Sequence, residues 1–416
     1  MVNEAISKIE RKKEDRIAGL FYILVVVSSV AFFNPGGIFT EFRSIVHVCE
    51  FSVLAGGVYG IVKRKKKIAW KKCYWLYMAF LASCILSIYM ADIYHGQAYW
   101  DSIRSTIPYI SAYLFFFVLL KLDLSPQHLM SLIKLLLIIS AIIYFANLIC
   151  MPVKVFEWGR YEEDSDRGMA RIWIPFIELH ILSLLYHIQQ YTQGIRKSNS
   201  VLWIIFGVIM VVLSLTRQNI LLSIVLGSLI IFKKVSFVKK ITFILFLTLF
   251  VFFVSQLAFF SEMQDLTSRQ LGDENTIEQN VRMQAFFFFI DDQQVNAMTQ
   301  LFGNGVFALE SRWGSYMANV MEMNNFFLAD IGWVGVFFQF GWLGLVSLLL
   351  FFIVSITRGN TCNLFARYWL IYVCISSLIS GIVIYYYQIL SISTVLYLIH
   401  IINDNKKNMP SVLTNH

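Results

Sequence analysis

Charge is what this chain has least of. Only 14% of its 416 residues are Asp, Glu, Lys or Arg, against 58% hydrophobic residues and 16% aromatic ones. A soluble globule carries about a quarter charged residues, so that class is excluded. Cysteine is sparse and badly placed for crosslinking. All six (Cys49, Cys73, Cys84, Cys150, Cys362, Cys374) lie in apolar spans or at their ends. The two long polar loops hold none, so neither can be closed by an internal disulfide. No CxxC or Cys/His spacing suggests zinc. An Asp-rich metal motif, a Walker loop and a Ser-His-Asp arrangement are also missing, so neither a metal nor a cofactor is expected. No linker divides the chain, and no internal repeat is visible.

What the chain does have is long apolar runs. Crossing the hydrocarbon takes roughly 17–25 apolar residues. About twelve candidates occur, at 17–33, 44–62, 73–93, 107–120, 132–151, 172–191, 201–215, 220–232, 241–260, 331–356, 368–384 and 388–402. The fourth, seventh and eighth are short and need flanking residues or an oblique path. The expected fold is an all-α polytopic membrane protein, one integral domain over 1–416 with about twelve transmembrane helices. Its first apolar run follows a Lys/Arg-rich stretch with no small-residue cleavage site, which reads as a retained anchor.

The basic residues sort between alternate loops. Of 34 Lys+Arg, 24 lie in the terminal segments and even-numbered loops, 18 Lys and 6 Arg. The positive-inside rule makes those segments, and both termini, cytoplasmic. The formal charge of +8 then reflects loop anchoring, and nucleic acid is not an expected partner. The external ten are Lys154 and nine arginines: Arg43, Arg104, Arg160, Arg167, Arg171, Arg217, Arg269, Arg282 and Arg312. Lysine suffices to anchor a loop near anionic lipid, whereas arginine suits two-pronged binding of phosphate or carboxylate. That bias predicts an outward-facing oxyanion site.

Two external loops stand out, 152–171 and 261–330. The second exceeds the usual length of a structureless connection and should hold structure of its own. Thr276-Ile277-Glu278-Gln279 resembles a capping box, predicting a helix over 277–290. Val281, Ala285 and Phe288 form its stripe, widened by Phe286, Phe287, Phe289 and Ile290, which suits a helix lying at the membrane interface. Asp291-Asp292-Gln293-Gln294 ends it. A turn follows at Leu301-Phe302-Gly303-Asn304-Gly305, where Gly303 and Gly305 permit positive φ and close backbone approach.

Arg217, in Leu213-Ser214-Leu215-Thr216-Arg217-Gln218-Asn219, is the sharpest candidate. It sits between two spans with almost no loop, and a guanidinium at that depth calls for a polar cavity or a snorkelling path. Arg282 lies one turn after Glu278, an order that also fits a simple helix-stabilising pair. Arg171 could bind phosphate or pair with the acidic cluster Glu162, Glu163, Asp164 and Asp166. Glu50, Asp92 and Glu178 read as buried or semi-buried acids, functional candidates by default. Glu178 could serve as a general base or as a protonated or Arg-paired structural group. His180 and His187 read as packing residues.

Taken in order, these motifs resemble the O-antigen ligase/polymerase superfamily of bacterial polytopic membrane proteins. The order is a Thr-Arg turn, a long external loop holding an Arg, Phe302-Gly303-Asn304-Gly305, then Asn324-Asn325-Phe326-Phe327-Leu328 and Asp330-Ile331-Gly332-Trp333-Val334-Gly335 before a span. The resemblance covers roughly 169–350 by motif and the rest by span count.

It implies a metal-independent, inverting glycosyltransferase on the outer face of the cytoplasmic membrane. The donor would be a glycan on undecaprenyl pyrophosphate, polymerised into O-antigen, capsular or exopolysaccharide. Arg217 and Arg282 would grip the pyrophosphate, with the acceptor proton leaving to water, phosphate or a carboxylate such as Glu178 or Asp330. Arg171, Asn324, Asn325, Gly303 and Gly305 would contact substrate. The bilayer is a partner of any such enzyme, and a chain-length regulator is compatible with it. Family members often carry a histidine before the Asn where this chain has Asn324. Asparagine cannot act as a base near neutral pH, which weakens the ligase alternative relative to polymerisation. The other alternative is a polysaccharide flippase or transporter. Transporters often show repeats and Gly/Pro-broken helices; no repeat is visible here and only six prolines occur.

Overall fold

A computed structural model describes residues 2–29, 42–62, 74–150, 155–156, 162–164, 169–171, 173–195, 197–233, 281–358 and 363–407. The ninth expected span, 241–260, falls outside these residues.

The described chain is helical apart from one short hairpin. Five helices precede that hairpin: α1 (Val2–Ser28), α2 (Phe42–Val62), α3 (Tyr74–His95), α4 (Tyr99–Leu122) and α5 (Pro126–Ile149). The hairpin pairs β1 (Glu162–Asp164) with β2 (Met169–Arg171) in antiparallel register. Next come α6 (Ile177–Thr192), α7 (Lys197–Leu213) and α8 (Arg217–Phe232). The expected external loop contributes α9 (Val281–Phe287), a π-helical turn over Phe288–Asp292, α10 (Ala297–Phe302), α11 (Arg312–Asn324) and a 3-10 turn over Leu328–Asp330. The chain then forms α12 (Gly332–Thr357), α13 (Leu364–Ser376) and α14 (Tyr386–Lys407).

Among the described residues, five helices are long and apolar enough to cross a membrane: Ser44–Val62, Tyr74–His95, Tyr99–Leu122, Pro126–Ile149 and Gly332–Thr357. The fourth expected span does extend through its flanks, to 24 residues. The seventh and eighth stay short, at 17 and 16 residues. The eleventh stops early: α13 ends at Ser376, and residues 377–385 form turns before α14.

Local chemistry sets several boundaries. Asp123 closes α4 in the left-handed conformation, and its N–H donates to the Leu119 carbonyl. Two residues on, Ser125 caps α5 by accepting from His128 N at 3.3 Å, with Pro126 in the first turn. Asn296 and Thr299 form a reciprocal capping box for α10.

Helix α12 departs most from expectation. It reads as one span, yet Gly341 breaks it with φ 69° and ψ −175°. The two limbs fold back so far that the Trp333 and Phe352 rings have centroids 6.0 Å apart. In a straight helix these residues would be about 28 Å apart along the axis. The break is held by the preceding loop. Asn304 N–H donates to Phe338 O at 2.8 Å, and Gly305 N–H to Gln339 O at 3.1 Å. A Cβ on Gly303 would lie 2.2 Å from Gln339 O, and one on Gly341 2.3 Å from Leu301 O. Both glycines also hold positive φ, so no other residue fits this crossing without strain.

The loop is pinned on its other side by Gln97, which lies between α3 and α4. Gln97 Nε2 donates to Ser102 Oγ and to Val306 O, both at 3.0 Å. Its Oε1 accepts from Ala308 N at 2.8 Å and from Ser311 Oγ at 3.0 Å. Beside it, His95 Nε2 meets Asn304 Oδ1 at 2.9 Å, and the His95 ring stacks on Trp313 at 4.1 Å.

Helix α9 and its π turn bury Ala285 and Phe289, with Phe289 edge-on to Phe338 of α12 at 5.1 Å. The helix expected over 277–290 is present from Val281 onward and ends at Asp292, while the expected capping box at 276–279 lies outside the described residues. Of the expected stripe, Ala285 and Phe289 pack inward and Val281 is exposed.

Candidate functional site

A buried polar seam runs between α6, α8, α13 and the start of α14. Along α13, Trp369, Tyr372 and Ser376 recur at helical spacing and so share one face. Trp369 Nε1 donates to the Glu178 carbonyl at 2.6 Å. Tyr372 OH donates to Asn219 Oδ1 at 2.9 Å. Ser376 Oγ accepts from Gln218 Nε2. One face of α13 thus fixes the first turns of both α6 and α8. Neither turn carries a side-chain cap, and each helix is entered through a residue of positive φ, Phe176 at 54° and Leu215 at 53°. Their first-turn N–H groups add positive partial charge to this end of the seam.

Arg217 opens α8, directly before the two side chains that α13 holds, and is itself exposed. The same α13 terminus receives the entrance to α12. Trp333 N–H donates to Ser377 O at 3.0 Å and Trp333 Nε1 to Cys374 O at 2.9 Å. A Cβ on Gly332 would sit 2.2 Å from Ser380 O, and one on Gly381 3.1 Å from Ala329 Cα. The Asp330 segment is thereby pressed onto the 377–381 turn. Burial raises the Asp330 carboxyl above its usual range, and the positive charge of Arg282 opposes that rise. Through Gln218 and Asn219 on one side and Trp333 on the other, the end of α13 holds both the start of α8, where Arg217 stands, and the entrance to α12 that follows Asp330.

Glu178 lies in the first turn of α6 with 3% of its surface exposed. Its Oε1 accepts from Gln388 Nε2. Glu50 is also buried and meets His47 Nδ1 at 3.0 Å. Asp92 is a correction: its side chain is exposed, since α3 turns that face away from its neighbours. His180 and His187 pack as expected, the latter stacked on Trp203 at 5.6 Å between centroids.

Other expected contacts fall elsewhere. Arg171 stands opposite Glu162 in the hairpin register, within the acidic cluster; its side chain lies outside the described part. Asn324 is exposed, and its Nδ2 donates to Val320 O of its own helix at 2.8 Å. Asn325 ends α11 in the left-handed conformation at φ 55°. Gly303 and Gly305 hold the α12 break rather than the seam.

Gln218, Tyr372, Ser376, Ser377 and Gln388 were not singled out from sequence. The available signal was an isolated carboxamide within an apolar run, which needs a partner once it leaves water. Among the described residues no three His, Cys, Asp or Glu side chains gather around one point.

The apolar helices and the buried polar seam define a helical membrane protein with a polar site inside its bundle. No known family model matches the chain, and no curated protein matches it.

Proposed function

We propose that the chain is a membrane glycosyltransferase that polymerises undecaprenyl-pyrophosphate-linked repeat units on the outer face of the bacterial cytoplasmic membrane. The observation that carries this reading is that the α13 terminus receives both the α8 start bearing Arg217 and the segment bearing Asp330, whose carboxyl feels the charge of Arg282. A departing diphosphate needs its charge neutralised as the C1–O bond breaks, and the Arg217 and Arg282 guanidiniums, with the first-turn N–H groups of α8, would supply that. The acceptor hydroxyl attacks the opposite face of the anomeric carbon. Its proton passes to Asp330, whose raised carboxyl is a better-matched base than an ordinary aspartate. Membrane confinement of both lipid-linked glycans contributes much of their alignment.

Arg217→Ala and Arg282→Ala are each expected to abolish polymer in cells at unchanged protein level. Long-chain glycan persisting in both variants would end the proposal. Glycan profiles of a deletion strain separate the two glycosyl-transfer readings. Lost polymerisation leaves single repeat units attached, while lost ligation leaves long chains on the carrier lipid.

The broken α12 favours a second reading, a polysaccharide transporter, because such proteins place interrupted helices at the substrate site. Polymer made by the purified chain from lipid-linked repeat units, without any vectorial step, decides between them.

A further inference from the structure

The Glu178–Gln388 pair is only half satisfied. Gln388 Nε2 donates to Glu178 Oε1. Glu178 Oε2 and Gln388 Oε1 are both closed off from solvent and meet no donor among the described residues. The two side chains are 3% and 7% exposed. Both unmet atoms are acceptors, one on each side of an existing hydrogen bond, so what is missing is a single donor between them. A cation would require more oxygen ligands than these two. A proton requires no more.

We propose that Glu178 carries a proton on Oε2 and donates it to Gln388 Oε1. The acid and the carboxamide then close a ring of two hydrogen bonds, amide N–H to acid carbonyl and acid O–H to amide oxygen. This neutral clamp ties the first turn of α6 to the first turn of α14. Among the described residues, the titratable groups whose charge it would feel are the phenols of Tyr372 on α13 and Tyr387 on α14, and neither supplies a counter-ion. Glu178 is accordingly a positioning residue for the seam and leaves the base role to Asp330. The side-chain state does not depend on the proposed function; only the activity arm of the test rests on that reading.

The test uses the purified full chain in lipid nanodiscs and infrared difference spectra of wild type against Glu178→Gln at neutral pH. The wild type should show the C=O stretch of a hydrogen-bonded protonated carboxylic acid, absent in E178Q. That band should move to higher frequency in Gln388→Leu, where the partner oxygen is gone. E178Q can rebuild the ring as an amide pair, so its Tm should stay near wild type while Glu178→Leu lowers it. Loss of a carboxylate band in E178Q, with no acid band in the wild type, would overturn the clamp. An acid band appearing only after Arg171→Ala would overturn it too, assigning an ionised Glu178 paired with that guanidinium. In cells, E178Q should keep making polymer. Its loss in a stably folded E178Q would return Glu178 to the base role. Polymer that survives Arg217→Ala would instead sink the proposed function while leaving the infrared result standing.

Discussion

Two buried carboxamides, Gln97 and Gln388, sit in opposite circumstances. Gln97 uses both amide hydrogens and accepts twice at its oxygen, each bond to a partner on α4 or the 303–311 segment. Gln388 donates once and leaves an acceptor unmet beside a second unmet acceptor on Glu178. A closed network rigidifies what it touches, and an open one in an otherwise packed interior calls for the donor it lacks, here the proton proposed for Glu178. The first region therefore reads as architecture that seats the loop, and the second positions the start of α6 within the seam where Arg217 carries the proposed chemistry. Arg217→Ala, with its expected total loss of polymer, tests the chemical side alone. Substitutions on the architectural side should act through the fold instead.

The largest of these is Gly303→Ala. The new methyl would meet Gln339 O at 2.2 Å in a backbone of φ 87°, a clash added to roughly 1–3 kcal/mol of backbone strain. Loss of folded protein is expected, read as aggregation in detergent or a collapsed unfolding midpoint. Gln97→Ala should follow. It strands the Ala308 N–H, worth about 1–3 kcal/mol when left without a partner, while the Val306 carbonyl keeps its bond from Ser105 Oγ at 2.8 Å. Thermal unfolding should fall by several degrees while any polymer made per folded molecule stays the same. A selective loss of turnover with unchanged stability would erase the distinction between the two regions.

That distinction was only partly legible in the sequence. The apolar runs of α3, α4 and α5 announced themselves, since nothing but hydrocarbon or a large core accommodates them. The closing Asp291-Asp292 likewise located the end of the helix that begins, among the described residues, at Val281, because that signal is local. The break in α12 was not legible. Gly335, Gly341 and Gly344 stand in one apolar run, and which of them bends is decided by Gly303, far back in the chain. Arg217 was legible because its charge between two spans is costly wherever the chain goes. Its supports were not: Ser376 and Tyr372 acquire meaning only when α13 packs against α8. Asp92 was misread because depth along a helix says nothing of which way a side chain points.

A third prediction sharpens the chemical side. Asp330 is held above the ordinary aspartate range by burial, with Arg282 opposing. A base works in its ionised form, so turnover should fall as pH drops through this raised value. The acid limb of kcat should accordingly lie above about pH 4, the range of an unperturbed aspartate. Asp330→Asn should remove turnover across the whole profile. A wild-type rate that stays flat down to about pH 4 would take the proton-accepting role away from this carboxylate.

The smallest effect is expected at Asn324. Motif order placed it among the substrate contacts, yet its amide donates to Val320 O one turn back along α11 and its side chain faces outward. Asn324→Ala replaces a poor helix former with a good one and forfeits an exposed hydrogen bond, so stability should change by no more than about 0.5 kcal/mol. If the α13 terminus is where substrate is held, polymer length and yield should also stay within error of wild type. A marked loss of polymer from this substitution, at normal protein level, would mean that the exposed end of α11 reaches the substrate. The site would then have to extend from the seam across the 325–329 segment, and the loop could no longer be treated as architecture alone.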